Sequence, residues 1–359
     1  MSKVTILHII ESGGGSFNFI LDLVKNIPHY HHVIVYGERT FDFNLDFSND
    51  FQNASFVKWE FAFREISILN DYKAYRHLKS IFLTLNFDIV HLHSSKAGFL
   101  GRLALWQLRI KNVVFSTHCI SFLRKDISIQ KKMYFISIEI LANFLCGKVV
   151  ACSDSESKEI NRYFINSVSI PNGVQIEDSY SEKEANSNKI IVGTVGRISE
   201  QKNPKLFNQL ARYFEDHDNI EFIWIGSGEQ VGYLDSKNVK VTGWLNKADL
   251  DMKMSEIDIY LSTSLWEGLP LSVLEAMNHS KPLILHNCIG NCDLVENNIN
   301  GFLFDEFEVA VEKILFFVNN TKKIPEYGKK SKILVSNRFS MKKMVDKYLN
   351  LYDSICVKI

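Results

Sequence analysis

Short apolar runs alternate along this chain with longer segments in which apolar residues recur every three or four positions. In the first half the runs cover 4–10, 33–36, 89–93, 113–117 and 149–152, and helical periods near 71–86, 97–109, 128–146 and 154–164 separate most of them. Further runs follow at 190–196, 221–225, 239–242, 257–262 and 282–286. Such alternation is typical of parallel strands joined by right-handed crossovers, so the pattern predicts an α/β fold.

The alternation starts twice, which predicts two domains. Between the two series lies a polar, acidic stretch, 176–189, which we interpret as the linker. A chain of 359 residues is long enough for two doubly wound, Rossmann-like parallel sheets, which we place at 1–170 and 171–340. Because open sheets of this type bind ligands at their carboxyl edges, we expect the site in the cleft between the two edges. The amphipathic tail, 341–359, predicts a C-terminal helix that packs back towards the first domain.

Composition narrows the function class. Lysine plus arginine and aspartate plus glutamate both number 41, so no overall positive charge points to nucleic acid as a partner. We find no secretory leader and no apolar stretch of about 18 residues, and therefore expect a cytoplasmic protein. We also expect no bound metal. Cys288 and Cys292 lack a second pair to complete a zinc site, and the D-x-D triplets at 216–218 and 249–251 end a helix or lie inside one.

The strongest candidate site begins at Glu267. The sequence continues Gly268-Leu269-Pro270-Leu271 and reaches Glu275 two turns into a predicted helix. A helix start preceded by glycine offers backbone N–H groups and the positive end of the helix dipole to an anionic diphosphate. Ionised carboxylates are good acceptors from sugar hydroxyls. The spacing alone also fits an exposed helix start with two surface glutamates.

A second candidate group follows the predicted strand at 190–196. Arg197 and Lys202 lie in the loop after this strand and could neutralise a leaving diphosphate without a divalent ion. The next two strands end on glycine-containing loops, where a ligand can approach the backbone closely. These loops contain Gly226, and Gly243 with Trp244 and Leu245. Solvated loop charges and tight turns are the alternatives.

In the first half, a glycine run joins the first strand to the first helix. Gly14 and Gly15 leave room for phosphate near the backbone, but the run lacks the G-x-G-x-x-G spacing of dinucleotide-binding loops. His118 ends a strand and faces the predicted cleft, with a structural role as the alternative. His91 and His93 alternate on another strand end, and we interpret them as packing or loop-anchoring residues.

These motifs, in this order, resemble the retaining family-4 glycosyltransferases of GT-B fold, and the likeness covers nearly the whole chain. It rests on the E-x7-E spacing from Glu267 to Glu275, on Gly196-Arg197 with Lys202-Asn203, and on IPNGV at 170–174. A narrower likeness to bacterial capsule and O-antigen polysaccharide glycosyltransferases rests on DIVHLHSSKAG at 88–98, STH at 116–118 with SFL at 121–123, and VACSDSE at 150–156.

The resemblance implies roles in donor binding for the second half of the chain. Glu275 would bind the donor's ribose hydroxyls and Glu267 the transferred sugar. Arg197 and Lys202 would hold the diphosphate, with the N–H groups after Gly268 completing its cradle. The donor-binding set also includes Leu269, Pro270, Leu271, Gly226, Gly243, Trp244 and Leu245.

For the first half, the resemblance implies that Gly14 and Gly15 leave space for the donor and that His118 lies beside the sugar. Many relatives have glycine after this histidine, where this chain has Cys119. We therefore expect a loop of different shape at this point.

The reaction that the resemblance implies moves a sugar from a nucleotide diphosphate donor, a UDP-N-acetylhexosamine or a UDP-hexose, to a polyprenyl-diphosphate-linked glycan of a bacterial surface polysaccharide. Configuration is retained, and neither a metal ion nor a cofactor is needed. A front-face displacement fits, in which Arg197 and Lys202 stabilise the growing charge. A sugar-nucleotide epimerase or hydrolase on the same scaffold, and a non-catalytic nucleotide-sugar-binding partner, are the alternatives.

Basic residues concentrate between positions 102 and 148. Eight lysines and arginines lie there against two acids, and apolar residues such as Trp106, Phe122 and Tyr134 are interleaved with them. We therefore predict peripheral docking on an anionic membrane surface, the inner face of the cytoplasmic membrane. The docking residues would be Arg124, Lys125, Lys131 and Lys132. A solvated basic surface, with its aromatic residues in the core, is the alternative.

Overall fold

The computed structural model describes residues 3–11, 13–37, 51–63, 65–177 and 189–356. The chain forms two compact units. The first comprises Met1–Leu123, Ile127–Asn172 and Lys342–Ile359, and the second comprises Arg124–Asp126 and Gly173–Met341. The predicted linker, 176–189, lies almost wholly outside the described residues. Each unit is built on one parallel sheet, which confirms the predicted fold class.

The sheet of the first unit has seven strands within the described residues. They are β1 (Thr5–Ile10), β2 (His31–Tyr36), β3 (Ala54–Lys58), β4 (Ile89–His93), β5 (Val113–Ser116), β6 (Lys148–Ala151) and β7 (Ser167–Ser169). Their order is β3-β2-β1-β4-β5-β6-β7, and all neighbours are parallel. The central strands β4 and β5 consist entirely of buried residues, because parallel sheets are covered on both faces.

Five helices connect these strands in the described part of the unit. They are α1 (Gly15–Asn26), α2 (Ile68–Thr84), α3 (Ser95–Gln107), α4 (Ile129–Asn143) and α5 (Asp154–Asn161). α1 buries Phe19, Leu23 and their neighbours at intervals of three and four, as its sequence period predicts. α4 and α5 begin at serine caps, since the side chains of Ser128 and Ser153 accept from backbone N–H groups in the first turn.

The second unit repeats the same plan. Its strands are β8 (Ile190–Val195), β9 (Ile220–Ile225), β10 (Val239–Val241), β11 (Ile259–Ser262), β12 (Leu283–His286) and β13 (Gly301–Phe304). They are all parallel, in the order β10-β9-β8-β11-β12-β13. The helices are α6 (Pro204–Tyr213), α7 (Lys247–Glu256), α8 (Leu271–Asn278), α9 (Phe307–Asn319) and α10 (Lys323–Arg338). Phe207 of α6 packs edge-on against Phe222 and Trp224 of β9 in the core.

Each sheet has a switch point at which the strand order reverses. In the first unit the chain runs from β1 outward to β2 and β3, and then returns to place β4 on the other side of β1. In the second unit β8, β9 and β10 run outward and β11 returns beside β8. Open parallel sheets bind ligands in the crevice at such a point. Ligand-binding groups are therefore expected in the loops after β1 and β4 and in those after β8 and β11.

The last helix, α11 (Met341–Cys356), follows the second unit in sequence but belongs to the first from Lys342 onward. It buries Met344, Tyr348 and Tyr352, each 2% exposed or less. The Tyr352 hydroxyl lies 2.7 Å from His91 Nδ1, and the Tyr348 hydroxyl lies 2.9 Å from Ser116 Oγ. The helix thus supplies two polar partners to the interior of the first unit.

Three strands were missed by the sequence pattern, namely β3, β7 and β13. All three lie at sheet edges. β3 and β7 are short and only partly buried, so they lack a continuous apolar run. Hydrophobic periodicity identifies the buried centre of a parallel sheet more readily than its rim.

Candidate functional site

Two loops meet at the switch point of the second sheet, one after β8 and one after β11. The Leu265 N–H donates to the Gln201 carbonyl at 2.8 Å, and the Thr263 hydroxyl donates to the Lys202 carbonyl at 2.8 Å. Asn203 ends the first loop in the left-handed region, with φ of 50°, and its side chain caps α6. Asparagine tolerates this conformation better than most residues. The backbone is therefore fixed on both sides of Lys202.

Lys202 and Glu267 form a shielded ion pair at this point. Lys202 Nζ lies 2.7 Å from Glu267 Oε1, and the two side chains are 19% and 7% exposed. The other carboxylate oxygen accepts from Gln201 Nε2 at 3.3 Å. Burial lowers the pKa of Lys202, but the adjacent Glu267 carboxylate more than offsets this effect, and the pKa lies above its usual value. The lysine is therefore charged at neutral pH.

Glycines let the backbone of this edge pack closely. At Gly226 (φ 140°) a Cβ atom would lie 2.2 Å from the carbonyl oxygen of Gly196, in the loop after β8. At Gly290 (φ 84°) a Cβ atom would lie 2.4 Å from the carbonyl oxygen of Gly268, in the turn before α8. Gly226, predicted as a ligand contact, thus has a packing role. Gly290, which the sequence analysis did not single out, supports the turn that follows Glu267.

The helix α8 begins directly after the Glu267 turn. Pro270 occupies the N-cap position and Leu271 is the first helical residue. A proline side chain offers no acceptor, and no side-chain cap is present at this helix start. The positive end of the helix dipole therefore has no internal counter-group at the cap.

Glu275 lies on α8 and is paired with a lysine that the sequence analysis missed. Lys247 Nζ lies 3.1 Å from Glu275 Oε1 and 3.0 Å from Asp251 Oδ1. Burial lowers the pKa of Lys247, but the two carboxylates raise it above its usual value. Its position in the sequence could have identified it, because Lys247 is the first residue of α7 and directly follows the loop after β10.

The loop after β10 lies open. Gly243 (φ 77°) forms an isolated bridge with Gly226, and a Cβ atom added to it would meet nothing within 4 Å. Trp244 is 67% exposed and Leu245 is half-buried. An exposed indole beside open backbone is a surface on which a flat ring can stack. The structure thus leaves this predicted segment accessible.

Arg197, predicted to act with Lys202, lies on the outside of the same loop. Its Nε atom lies 3.0 Å from Glu229 Oε2, and the two side chains are 53% and 55% exposed. Exposed pairs of this kind contribute about 0–1 kcal/mol, so an anionic ligand can replace Glu229 at little cost. The two predicted cations therefore differ. Lys202 is shielded from water, whereas Arg197 can exchange its partner Glu229 for a ligand.

In the first unit, the turn after β1 combines open glycines with a buried acid. Gly14 (φ 90°) caps α1, and a Cβ atom added to Gly14 or Gly15 would meet nothing within 4 Å. Glu11 is buried, and its carboxylate accepts from Ala97 N at 3.2 Å and Lys96 N at 3.4 Å at the start of α3. Burial raises the pKa of Glu11. An internal carboxyl group thus occupies the start of α3, while the glycine turn lies open.

The loop after β5 is clamped by Glu156. Its Oε1 atom accepts from the Thr117 hydroxyl at 2.9 Å and from Ile120 N at 2.7 Å. Between these anchors, His118 (φ 48°) and Cys119 (φ 79°) are both in the left-handed region. Cys119 therefore adopts a conformation that glycine takes without strain, at a cost of roughly 1–2 kcal/mol. The clamp fixes the half-buried His118 ring at the edge of the sheet.

Three histidines of the first unit, His8, His91 and His93, offer ring nitrogens within 4.8 Å of one another. Zinc would need the lone pairs of these rings. The nitrogens of His8 and His93 are hydrogen-bonded to each other and to two further histidines, and those of His91 are bonded to Ser116 and Tyr352. All six ring nitrogens are thus engaged. The cluster is a hydrogen-bonded network, and the anchoring role expected for His91 fits its contacts.

The basic segment of the first half is less exposed than its sequence suggests. Arg102 is buried and forms a 2.5 Å ion pair with Glu139, so neither contributes to a surface. Phe122, expected among the exposed aromatics, is buried in the core. Arg124 pairs with Asp126 at 2.6 Å. The sequence-based count of surface charge was therefore too high, because these side chains find internal partners.

The helix α4 keeps an exposed surface that is both basic and apolar. Lys125 and Lys131 are exposed and Lys132 is half-buried. Large apolar side chains are exposed along α4 and just after it, and they are Ile129, Met133, Tyr134, Leu141 and Phe144. In the described part of the chain, no helix is long and apolar enough to span a bilayer.

The sequence matches two protein families and is similar to several known proteins. Residues 13–178 match the family described as Glycosyltransferase Family 4, and residues 175–333 match Glycosyl transferases group 1. The Escherichia coli protein UDP-Gal:alpha-D-GlcNAc-diphosphoundecaprenol alpha-1,3-galactosyltransferase is 31% identical over 99% of this chain and 98% of its own length. This chain is a family-4 glycosyltransferase. A protein from the cps region of Klebsiella pneumoniae is 28% identical to the glycosyltransferase over 98% of this chain and 100% of its own length.

Solved structures share the fold of this glycosyltransferase at low sequence identity. Sucrose-phosphate synthase from Thermosynechococcus elongatus superposes with a TM-score of 0.82 at 15% identity, over 99% of this chain and 100% of that one. Anabaena Alr3699/HepE in complex with UDP and glucose gives 0.80 at 18% identity, over 98% and 100%. These likenesses confirm the expected GT-B fold.

We predict that the first unit of the glycosyltransferase loses stability as the pH falls from about 6.5 to about 4. Burial lowers the pKa of His32 and His118 to about 4 and those of His8, His91 and His93 well below the usual value. In the unfolded chain these rings take up protons near pH 6.5, so the unfolded state binds more protons within this window. Each histidine contributes at most about 1.4 kcal/mol per pH unit.

Urea unfolding at pH 7.5, 6.0 and 5.0 measures this dependence. His91→Phe removes one titrating ring. The free energy of unfolding should therefore fall less steeply as the pH is lowered. A free energy of unfolding that is equal at pH 7.5 and 5.0 would contradict the prediction.

Proposed function

We propose that this glycosyltransferase transfers a hexose or N-acetylhexosamine from a UDP-linked donor to a glycan carried on polyprenyl diphosphate, with retention of configuration, in the synthesis of a bacterial surface polysaccharide. The observation that carries the proposal is the ion pair of Lys202 with Glu267 at the start of α8. The name of the Escherichia coli relative supports the lipid-linked acceptor and makes UDP-galactose the first donor to test.

N-acetylhexosamine stays among the candidate sugars because of a second relative. The Staphylococcus aureus poly(ribitol-phosphate) alpha-N-acetylglucosaminyltransferase is 26% identical over 59% of this chain and 45% of its own length. UDP as the nucleotide is further supported by the complex of Anabaena HepE with UDP and glucose.

The charged residues of the candidate site in the second unit bind different parts of the donor. Glu275 accepts hydrogen bonds from the ribose hydroxyls. Its exposed ion pair with Lys247 opens when the ribose binds. The start of α8 and Arg197 bind the diphosphate, because a helix N-terminus and a guanidinium both favour oxygen anions. Glu267 is already oriented by Lys202, so its carboxylate is fixed before it accepts from a hydroxyl of the transferred sugar.

The chemical step then needs no metal ion. The bond between the anomeric carbon and the diphosphate oxygen breaks, and the acceptor hydroxyl oxygen bonds to the same face of that carbon. The hydroxyl proton passes to the leaving phosphate oxygen. Negative charge grows on the diphosphate during this step, and Lys202 and Arg197 stabilise it.

A transfer assay tests the function. We expect one UDP-sugar among galactose, glucose, N-acetylgalactosamine and N-acetylglucosamine donors to be transferred to N-acetylglucosaminyl-diphospho-undecaprenol, with an α linkage by NMR and unchanged turnover in excess EDTA. Release of UDP and free sugar without a glycolipid product would indicate a hydrolase, and binding without turnover a non-catalytic partner. A β linkage would contradict retention, and loss of turnover in EDTA restored by Mn²⁺ or Mg²⁺ would contradict metal independence.

Substitutions at the candidate site should separate donor binding from chemistry. Lys202→Ala and Arg197→Ala should each lower kcat/KM roughly 10- to 100-fold, because a hydrogen bond to a charged group contributes about 1.5–3 kcal/mol. Glu275→Ala should mainly raise the KM for the donor, and Glu267→Ala should mainly lower kcat. Steady-state kinetics with the active donor measures both parameters.

Arg212→Ala is a matched control for Arg197→Ala. Arg212 forms an exposed ion pair with Asp235 at 2.7 Å and is 56% exposed, close to the 53% of Arg197. It lies in the last turn of α6, away from the switch-point loops. We expect it to leave kcat and KM unchanged. Small and equal effects of all four site substitutions would show that the site has been misplaced.

We further propose that the first unit docks on an anionic membrane surface through α4. A basic, apolar helix face favours this partner, because lysines near a lipid surface contribute about 1 kcal/mol each and apolar side chains enter the headgroup boundary. Lys131 and Lys132 supply charge, and Met133 and Tyr134 are among the exposed apolar residues beside them. Docking there would bring the enzyme to a lipid-linked acceptor.

Vesicle co-sedimentation tests the docking surface. Binding should rise with the anionic lipid fraction and fall with salt, since screening weakens exposed charges. Lys131→Gln with Lys132→Gln should reduce binding, whereas Lys329→Gln with Lys330→Gln, two exposed lysines of α10 in the second unit, should not. If the unsubstituted protein ignores anionic vesicles at low salt, the docking proposal is wrong and the transferase assignment is unaffected.

A further inference from the structure

Gln201 connects the two switch-point loops of the second unit through three consecutive contacts. Its carbonyl oxygen accepts from Leu265 N at 2.8 Å, and its side-chain Nε2 atom donates to the Trp266 carbonyl oxygen at 3.0 Å. The same Nε2 atom donates to Glu267 Oε2 at 3.3 Å. One residue of the loop after β8 thus contacts three successive residues of the loop after β11. Gln201 was not among the site residues predicted from the sequence, although it directly precedes Lys202.

The surroundings of the Gln201 amide define which of its atoms faces Glu267. The Trp266 carbonyl and the Glu267 carboxylate are both acceptors, so the group that contacts them is the NH2 group and not the amide oxygen. An NH2 group carries two hydrogens, and each of these acceptors takes one. The amide is therefore matched to this position through both of its donors.

Lys202 alone leaves the Glu267 carboxylate free to turn. Lys202 Nζ contacts Oε1 at 2.7 Å, but the terminal torsion of a glutamate side chain is broad, so one contact does not fix the plane of the group. The contact from Gln201 fixes the second oxygen. A carboxylate has about four lone-pair sites, so each oxygen keeps one for a further donor. The two contacts together define the directions in which these remaining sites point.

The neutral amide adds its contact without adding charge. Lys202 and Glu267 balance each other, and their side chains are only 19% and 7% exposed. A lysine or arginine at position 201 would leave an uncompensated charge in this shielded group, and a carboxylate there would repel Glu267. Glutamine therefore supplies a donor while Lys202 remains the charged partner of Glu267.

We propose that Gln201 is a positioning residue for the transfer reaction, because it holds the Glu267 carboxylate in the plane that accepts a hydrogen bond from a hydroxyl group of the transferred sugar. This inference rests on the proposed function. The NH2 group of Gln201 has no hydrogen left for the donor substrate, so its effect on the reaction passes through Glu267. Loss of the amide should therefore reduce turnover and not the binding of UDP, which carries no sugar.

Gln201→Met tests the inference, because methionine has a similar length and no donor. We expect kcat to fall roughly tenfold, since a hydrogen bond to a charged group is lost, while the Kd for UDP stays unchanged. Steady-state kinetics with the active donor and calorimetric titration with UDP measure the two effects. An unchanged kcat overturns the inference. A parallel loss of UDP affinity also overturns it, because the amide would then hold the loop and not the carboxylate.

A double-substitution cycle shows whether Gln201 acts through Glu267. In Glu267→Ala the carboxylate is absent, so the addition of Gln201→Met should change kcat by less than about twofold. If the two losses in kcat multiply, Gln201 affects the reaction by another route and the inference is wrong.

Gln230→Met is the matched control. Gln230 is half-buried like Gln201, and its Nε2 atom also donates to a carboxylate oxygen, Glu200 Oε2, at 2.9 Å. Neither Gln230 nor Glu200 is a residue of the candidate site. The substitution removes the same kind of hydrogen bond beside the loop after β8, and we expect kcat and UDP affinity to stay unchanged. A fall in kcat equal to that of Gln201→Met would overturn the specific role of Gln201.

Crystal structures of the unsubstituted protein and of Gln201→Met provide a readout that needs no activity. The Glu267 carboxylate should occupy one position with both contacts in the first, and should turn or spread over two positions in the second. An unchanged carboxylate in Gln201→Met overturns the inference. If no donor is transferred while the carboxylate behaves as expected, the proposed function fails and the hold of Gln201 on Glu267 stands. If transfer occurs and the carboxylate is unchanged, this inference alone fails.

Discussion

Several polar groups at the carboxyl edges of the two sheets are shielded from water, and these groups depend on partners among their neighbours. An unsatisfied buried donor or acceptor costs about 1–3 kcal/mol, and an unpaired charge costs more. Three sets of contacts meet this constraint: Lys202 with Glu267, Glu156 with the loop after β5, and the hydrogen bonds that link His32, His8, His93 and His118. These contacts hold loops and side-chain rings in one arrangement.

The two units satisfy this constraint differently. In the first unit, the groups that make these contacts include the buried side chains of His8, His93 and Glu156. In the second unit, Arg197 and Glu275 are held by exposed pairs that an incoming anion or hydroxyl can replace. Exchangeable ion pairs in the second unit suit the proposed binding and release of a charged diphosphate there.

The sequence alone predicts the central strands of both sheets but not all of the strands at their sides. Strands with continuous apolar runs and the loops at their ends are recognisable, and strand order then explains why Lys202 and Glu267, 65 positions apart, come together. Hydrogen bonds between histidine rings on three different strands produce no pattern in the local sequence. The partners of His118 could therefore not be predicted. Burial of Arg102 was missed because its partner, Glu139, lies 37 positions away on another helix.

The C-terminal helix also bears on how the chain is made. α11 is synthesised after the second unit, yet it covers His91 and Ser116 with the hydroxyls of Tyr352 and Tyr348. Until α11 has emerged from the ribosome, the first unit therefore lacks part of its interior, although most of its residues emerge first. The sheet of the first unit therefore reaches its final packing only after the whole second unit has been synthesised.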